Sequence, residues 1–213
     1  MRFRGHTALD FPFDRRYEPY IERLGLLPFV LQFKRHPPPS NHGALTALIE
    51  RWRPETHTFH LACGEMTITL EDMAMISALP IEGDALSADG INPANMRATL
   101  GELIGVAPDA PGADESDTEK VTHKWVRDNR GVICPGGATP EIVEQYARTY
   151  IWYLLTKVVF PDATGNNAQW MYLELLRDWD HKYSWASGAL AYLYRQVTSN
   201  SHLVASFLNK LLS

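Results

Sequence analysis

The chain has 213 residues, of which 45% are hydrophobic and 11% aromatic, enough to bury a sizeable core and to exclude global disorder. A formal net charge of −5 with a pI near 5.9 gives the chain as a whole no attraction for phosphate backbones or anionic lipid. Two cysteines, Cys63 and Cys134, are too few for a disulfide framework, and the start Met1-Arg2-Phe3-Arg4-Gly5-His6 is followed by no apolar h-region, so the expected compartment is reducing, nucleus or cytoplasm, and not secreted.

Residues 14–31 carry Tyr17, Ile21, Leu24, Leu27 and Leu31 at near-helical spacing, interrupted by Gly25 and Pro28, which predicts a helix and then an irregular turn. After the breaker Pro37-Pro38-Pro39, a helix over about 42–52 would put Leu45, Leu48, Ile49 and Trp52 on one face and end at Pro54. Thr56 to Leu61 and Met66 to Leu70 alternate about Cys63-Gly64-Glu65 and predict a β-hairpin over about residues 56–70. Thr69 with Asp72 has the form of a capping box, opening a short helix that Pro80 stops. A further helix is expected over 92–104, followed by a small, acidic, proline-broken stretch from Ala107 that predicts a solvated, mobile linker over about 107–120.

The second half is more strongly helical. Thr139 as N-cap with Pro140 at the first position opens a long helix to about 159, with Val143, Tyr146, Ala147, Tyr150, Ile151, Leu154, Leu155 and Val158 as its core stripe. Its apolar stretch Tyr150 to Phe160 contains Thr156 and Lys157 and stops at Pro161, short of the roughly 20 apolar residues of a membrane span. Helices are expected at about 168–180 and 184–198, with a terminal amphipathic run after them. The fold class expected is therefore mainly α: one unit, 1–213, as a two-lobed helical domain with a small β-hairpin. Its N-terminal lobe would run over about 14–106 and its C-terminal helical lobe over about 121–213.

The sequence holds no complete catalytic constellation. His57, His60 and Cys63 use a zinc vocabulary, but residues three apart in a strand point to opposite faces, and a fourth ligand such as Cys134 or His123 would come from a distant segment. A thiol nucleophile at Cys63 or Cys134 has no local base, and Ser187-Gly188 lies in a helical pattern rather than a nucleophile elbow. Glu174, Asp178 and Asp180 near Trp179 form a solvated face beside Arg177 and His181 rather than paired catalytic carboxylates. The aromatic cluster Trp152, Tyr153, Trp170, Tyr172, Trp179, Tyr183, Trp185, Tyr192 and Tyr194 suits a Trp-rich core with a few members at its exposed edge.

The run Glu50-Arg51-Trp52-Arg53-Pro54-Glu55-Thr56-His57-Thr58-Phe59-His60-Leu61, continued by Cys63-Gly64-Glu65-Met66-Thr67-Ile68-Thr69-Leu70-Glu71-Asp72-Met73, resembles the plant mobile domain, the aminotransferase-like family of the maintenance-of-meristems proteins. Tyr20-Ile21-Glu22-Arg23-Leu24-Gly25-Leu26, Ala147-Arg148-Thr149-Tyr150-Ile151, Phe160-Pro161-Asp162 and Ala189-Leu190-Ala191-Tyr192-Leu193-Tyr194-Arg195 extend the likeness over nearly the whole chain. The resemblance implies a nuclear protein-interaction domain in meristem maintenance, transposon silencing and genome stability, with a protein-phosphatase-seven-like partner, no cofactor and no established catalytic residue. The aminotransferase label carries no chemistry here, because a pyridoxal-phosphate enzyme needs a Schiff-base lysine and a phosphate cup, and no lysine stands in such a context. It also implies a long Leu- and Trp-rich helix beyond Arg195, where this sequence runs Ser199-Asn200-Ser201-His202 to Ser213, as a truncated copy would.

The candidate partner surface is Arg51, Trp52, Arg53, Glu55 and His57: a Trp between two Arg offers an aromatic anchor and charged forks. The plainer alternative makes Trp52 core and pairs the arginines with Glu50 or Glu55. Two rival functions stand beside the interaction domain. One is a transposon-derived, nucleic-acid-associated accessory protein; the other is a metal-dependent enzyme using the His57/His60/Cys63 region.

Overall fold

A computed structural model of the chain describes residues 11–32, 42–87, 89, 91–109, 120–162 and 164–199. Helices dominate and the sheets are small and antiparallel, in keeping with the patterning. The predicted N-terminal helix is broken into a 3₁₀ turn at Arg15–Tyr17, α1 (Glu18–Arg23) and α2 (Leu27–Gln32). Gly25 sits between the two helices at φ 73, a conformation that ends a helix without a Cβ penalty. The next helix, α3 (His42–Ile49), stops earlier than its periodicity suggests, because Trp52 and Arg53 leave it to form strand β1. Strand pairing overrides the helical spacing: Trp52 stands opposite Phe59 and Arg53 opposite Thr58 on β2 (Thr58–Leu61).

The hairpin forms where expected but shorter. Strand β3 (Gly64–Met66) pairs with β2 through Phe59–Met66, His60–Glu65 and Leu61–Gly64, leaving a two-residue turn of Ala62 and Cys63. β3 ends at Met66 because the backbone then turns to place Thr69 as cap of α4 (Leu70–Ser77). The capping box is complete: the Asp72 amide donates to the Thr69 hydroxyl, and the Thr69 amide donates to the Asp72 carboxylate.

Helix α5 (Met96–Ile104) follows a 3₁₀ turn at Pro93–Asn95. Most of the expected acidic linker, residues 110–119, lies outside the described residues, as does the terminal run after residue 199. Two elements without a counterpart in the sequence reading follow, β4 (Lys120–Thr122) and α6 (His123–Arg130), the latter capped by Thr122. Helix α7 (Pro140–Leu154) opens on the expected Thr139–Pro140 cap. It then passes into one π-helical turn, Leu155–Val159, where the Thr156 hydroxyl donates to the Trp152 carbonyl and faces His123 Nε2 at 3.0 Å.

The helix expected over 168–180 is corrected. Residues Asn167–Gln169 form strand β5, which pairs Ala168 with Val121 of β4, and only the short α8 (Met171–Glu174) remains helical. Helix α9 (Trp185–Ser199) closes the described chain. Among the described residues no helix is long and apolar enough to cross a membrane.

Internal contacts divide the chain into two compact units, each drawn from separate stretches. Within the described residues, one holds residues 25–86 with 182–199 and the other residues 11–24 with 87–181. These boundaries differ from lobes contiguous in sequence, because α9 packs on α4 in the first unit while α1 packs on α7 in the second. The aromatic cluster is core: Trp152, Tyr153, Trp170, Tyr172, Trp179, Trp185 and Tyr192 are buried, and Tyr183 and Tyr194 are half-buried.

Candidate functional site

The five candidate surface residues lie in the turn before β1, on β1 and in the loop to β2, in the unit of residues 25–86 and 182–199, and they divide into a buried member and an exposed set. Trp52 is 6% exposed and is core, which corrects its reading as a surface anchor. Its ring stands 4.8 Å from that of Phe59, 5.6 Å from Tyr194 and 6.2 Å from His57, and its Nε1–H points to the Thr198 hydroxyl at 3.4 Å. Alternation on the strand dictates this: with Trp52 turned inward, Arg53 turns outward.

Arg51, Arg53, Pro54, Glu55, Thr56 and His57 are all exposed. Arg51 does not pair with Glu50 or Glu55; its Nη1 donates to the Ala47 carbonyl at 2.7 Å, closing off the end of α3. His57 adopts φ 55, a left-handed conformation uncommon outside glycine, and its backbone is held there by partners on other elements. The Thr67 hydroxyl donates to the His57 carbonyl at 2.6 Å, and the His57 ring meets Tyr194 edge-on at 5.5 Å. Tyr194 in turn donates to the Ile68 carbonyl at 2.5 Å and lies 3.0 Å from the Thr67 hydroxyl.

An exposed loop of mixed charge is thus pinned at one end by β1–β2 pairing and at the other by a clamp of Trp52, Thr67 and Tyr194. Such a loop presents Arg53, Glu55 and His57 with little backbone freedom left to lose on binding. Thr67 carries no signal in the sequence that links it to His57; Tyr194 does, as a member of the aromatic cluster.

His57, His60 and Cys63 take three different positions. His57 is in the loop, His60 on β2 faces Glu65 at 3.0 Å, and Cys63 is an exposed free thiol in the hairpin turn. Glu65 also accepts from the Thr58 hydroxyl at 2.8 Å, so it binds the outer face of the hairpin together. Among the described residues no group of three or more His, Cys, Asp or Glu side chains stands arranged to hold a metal ion. Cys134 is buried in the other unit, and His123 is buried there against Thr156. The carboxylates near Trp179 are held by arginines: Asp180 by Arg23 at 2.5 Å and Glu174 by Arg177 at 2.6 Å.

A family model described as Plant mobile domain matches residues 31–212. Protein MAIN-LIKE 1 of Arabidopsis thaliana is 35% identical over 163 residues, which is 76% of this chain and 32% of that protein. Protein MAINTENANCE OF MERISTEMS of the same plant is 34% identical over 163 residues, covering 76% of this chain and 33% of its own length. A further relative from Arabidopsis thaliana, Serine/threonine-protein phosphatase 7 long form homolog, is 33% identical over 168 residues, 78% of this chain but 12% of its own. This chain therefore spans at most about a third of the length of these relatives. No solved structure matches the chain.

Proposed function

Because the chain belongs to the plant mobile domain family, we propose that it acts as a non-enzymatic protein-interaction domain in the nucleus, serving meristem maintenance, transposon silencing and genome stability through a phosphatase-like partner. The partner-facing surface is Arg51, Arg53, Glu55 and His57, carried on buried Trp52. The observation that supports this reading is the clamped loop itself: exposed charges on a backbone held in a left-handed turn at His57 by Thr67 and Tyr194. A cell has little reason to fix an exposed polar loop in a strained conformation unless its side chains are read by something. A relative bearing the name of a phosphatase 7 homolog contains a stretch similar to this chain, which supports that partner class.

The test is affinity purification of the tagged full chain from plant nuclei, with co-purifying proteins identified by mass spectrometry. A stoichiometric phosphatase-like protein is expected, and Arg53→Ala should reduce its recovery about tenfold, a loss of about 1.4 kcal/mol, with the helical circular dichroism unchanged. Full recovery by a triple variant of Arg53, Glu55 and His57 to Ala would rule this surface out. A wild-type capture without any stoichiometric partner would rule out the interaction reading.

A further inference from the structure

Four arginines in the unit of residues 11–24 and 87–181 are held by carboxylates. Arg16 lies 2.6 Å from Asp14, Arg23 2.5 Å from Asp180, Arg148 2.7 Å from Glu144, and Arg177 2.6 Å from Glu102 and from Glu174. Arg130, at the end of α6, departs from that pattern. Its guanidinium lies over the Tyr146 ring at 3.8 Å from the centroid. Nη2 reaches only neutral acceptors, the Ile142 carbonyl at 3.5 Å and Gln145 Oε1 at 3.3 Å, both longer than the roughly 2.7–3.2 Å of a good N–H···O bond. Nε is buried with no acceptor, and among the described residues no carboxylate lies within ion-pair reach of the group.

This cation is built into place. The Tyr146 hydroxyl donates to the carbonyl of Arg130 itself at 3.1 Å, fixing ring and chain together. Gln145 is backed by Gly105, where a Cβ would come within 2.6 Å of its Oε1, so the amide has no room to retreat. Half-burying a guanidinium without an anion is unfavourable, and here burial pulls its pKa below the usual arginine value. Two exposed apolar residues lie close to it in the chain: Ile142, 36% exposed, whose backbone carbonyl is one of the acceptors of Nη2, and Ile133, 71% exposed, three residues after Arg130.

We propose that Arg130 anchors a second binding site, which takes an Asp or Glu side chain flanked by apolar residues on a protein partner. A carboxylate at the outer edge of the guanidinium supplies the charge-assisted bond that the long, neutral contacts of Nη2 do not, to a planar group already stacked on an aromatic ring. The two exposed isoleucines suit apolar neighbours of that carboxylate, whereas a nucleic acid would call for several cations side by side on a chain that is not net negative. The site lies in a different unit from the Arg51–His57 surface and stands whether or not that surface binds.

The experiment is an NMR titration of the full chain with acetyl-Leu-Glu-Leu-amide, following the Arg130 Nε–Hε signal and the amides of Gly131, Ile133 and Ile142. Saturable shifts at roughly millimolar peptide are expected, with none from the Leu-Gln-Leu analogue and at least about tenfold weaker binding to a folded Arg130→Gln variant. Equal shifts from both peptides, no saturable shift, or a tighter response to inorganic phosphate or to a DNA duplex would each overturn the proposal. The peptide comparison is made on the wild-type protein, so it holds even where the variant does not fold.

Discussion

Gly83 and Lys182 meet backbone to backbone: a Cβ on Gly83 would lie 2.4 Å from the Lys182 carbonyl oxygen and 2.8 Å from the Tyr183 nitrogen. The contact sews together stretches about a hundred residues apart in sequence. Around it the Asp84 amide donates to the Lys182 carbonyl at 2.9 Å and the Ser184 amide donates to the Asp84 carbonyl at 2.9 Å. The Ser184 hydroxyl adds a bond to the Ile81 carbonyl at 2.7 Å.

Gly83→Ala is accordingly expected to destabilise the protein by about 2–3 kcal/mol, since φ is 115 and the obstructing atoms are backbone. Chemical denaturation followed by circular dichroism measures this. A loss below about 0.5 kcal/mol would mean that the two stretches do not close on each other in this way.

Arg148 is 4% exposed and ties three elements together. Its Nε donates to the Leu176 carbonyl at 3.0 Å, Nη1 to the Leu103 carbonyl at 3.1 Å and Nη2 to Glu144 at 2.7 Å, while Trp179 Nε1–H donates to the same Glu144 oxygen. Arg148→Ala should cost about 3–5 kcal/mol, because it strands a carboxylate and two carbonyls. Arg148→Lys should recover only part of that loss, having no fork to reach all three. Equal stabilities of wild type and Arg148→Ala in urea would contradict the network.

Glu174 supplies a pH dependence. The hydrogen bond from Arg177 is the chief cause that holds its carboxyl below the ordinary value of 4.5; burial opposes it, and the Thr99 hydroxyl lowers it further. A carboxylate with a depressed folded pKa adds stability above its unfolded pKa, near 4.3 for a glutamate, and that stability is lost as the pH falls through the folded value. Stability should therefore fall from about pH 4 downward, and Glu174→Gln should flatten that acid limb while lowering stability at pH 7. Thermal unfolding across pH 2.5–7 reads both, and identical acid limbs would remove Glu174 from the account.

Trp52 and Arg53, adjacent in sequence, should behave oppositely. Trp52→Ala removes a buried ring packed on Phe59 and Tyr194 and should cost about 3–5 kcal/mol. Arg53→Ala, on the exposed side of the same strand, should change stability by no more than about 0.5 kcal/mol. Equilibrium unfolding of the two variants side by side checks the inward and outward assignment of β1.

Much of the candidate region was legible where local chemistry acts alone. The Thr69–Asp72 box, the Thr139–Pro140 cap and the hairpin about Cys63-Gly64 depend on residues within a few positions of each other, and each stands where the pattern puts it. Trp52 was not legible, because its spacing with Leu45, Leu48 and Ile49 fits a helix face as well as a strand, and only pairing with Phe59 decides between them. The same competition turned the start of an apparent helix, Ala168 and Gln169, into a strand against β4. The clamp on His57 joins Thr67 and Tyr194 across a separation of 127 residues, which no periodicity records.

By itself, then, the sequence determined the helical majority, the caps and turns, the aromatic core and the family, since these follow from side-chain chemistry, short-range hydrogen bonds and residue order. The tertiary structure alone decided which residue of Arg51-Trp52-Arg53 faces inward, where the chain leaves helix for strand, and which arginines find carboxylates. Those outcomes rest on what distant parts of the chain bring: Phe59 and Tyr194 for Trp52, the Leu103 and Leu176 carbonyls for an Arg148 that already has Glu144 one turn away, and no carboxylate for Arg130.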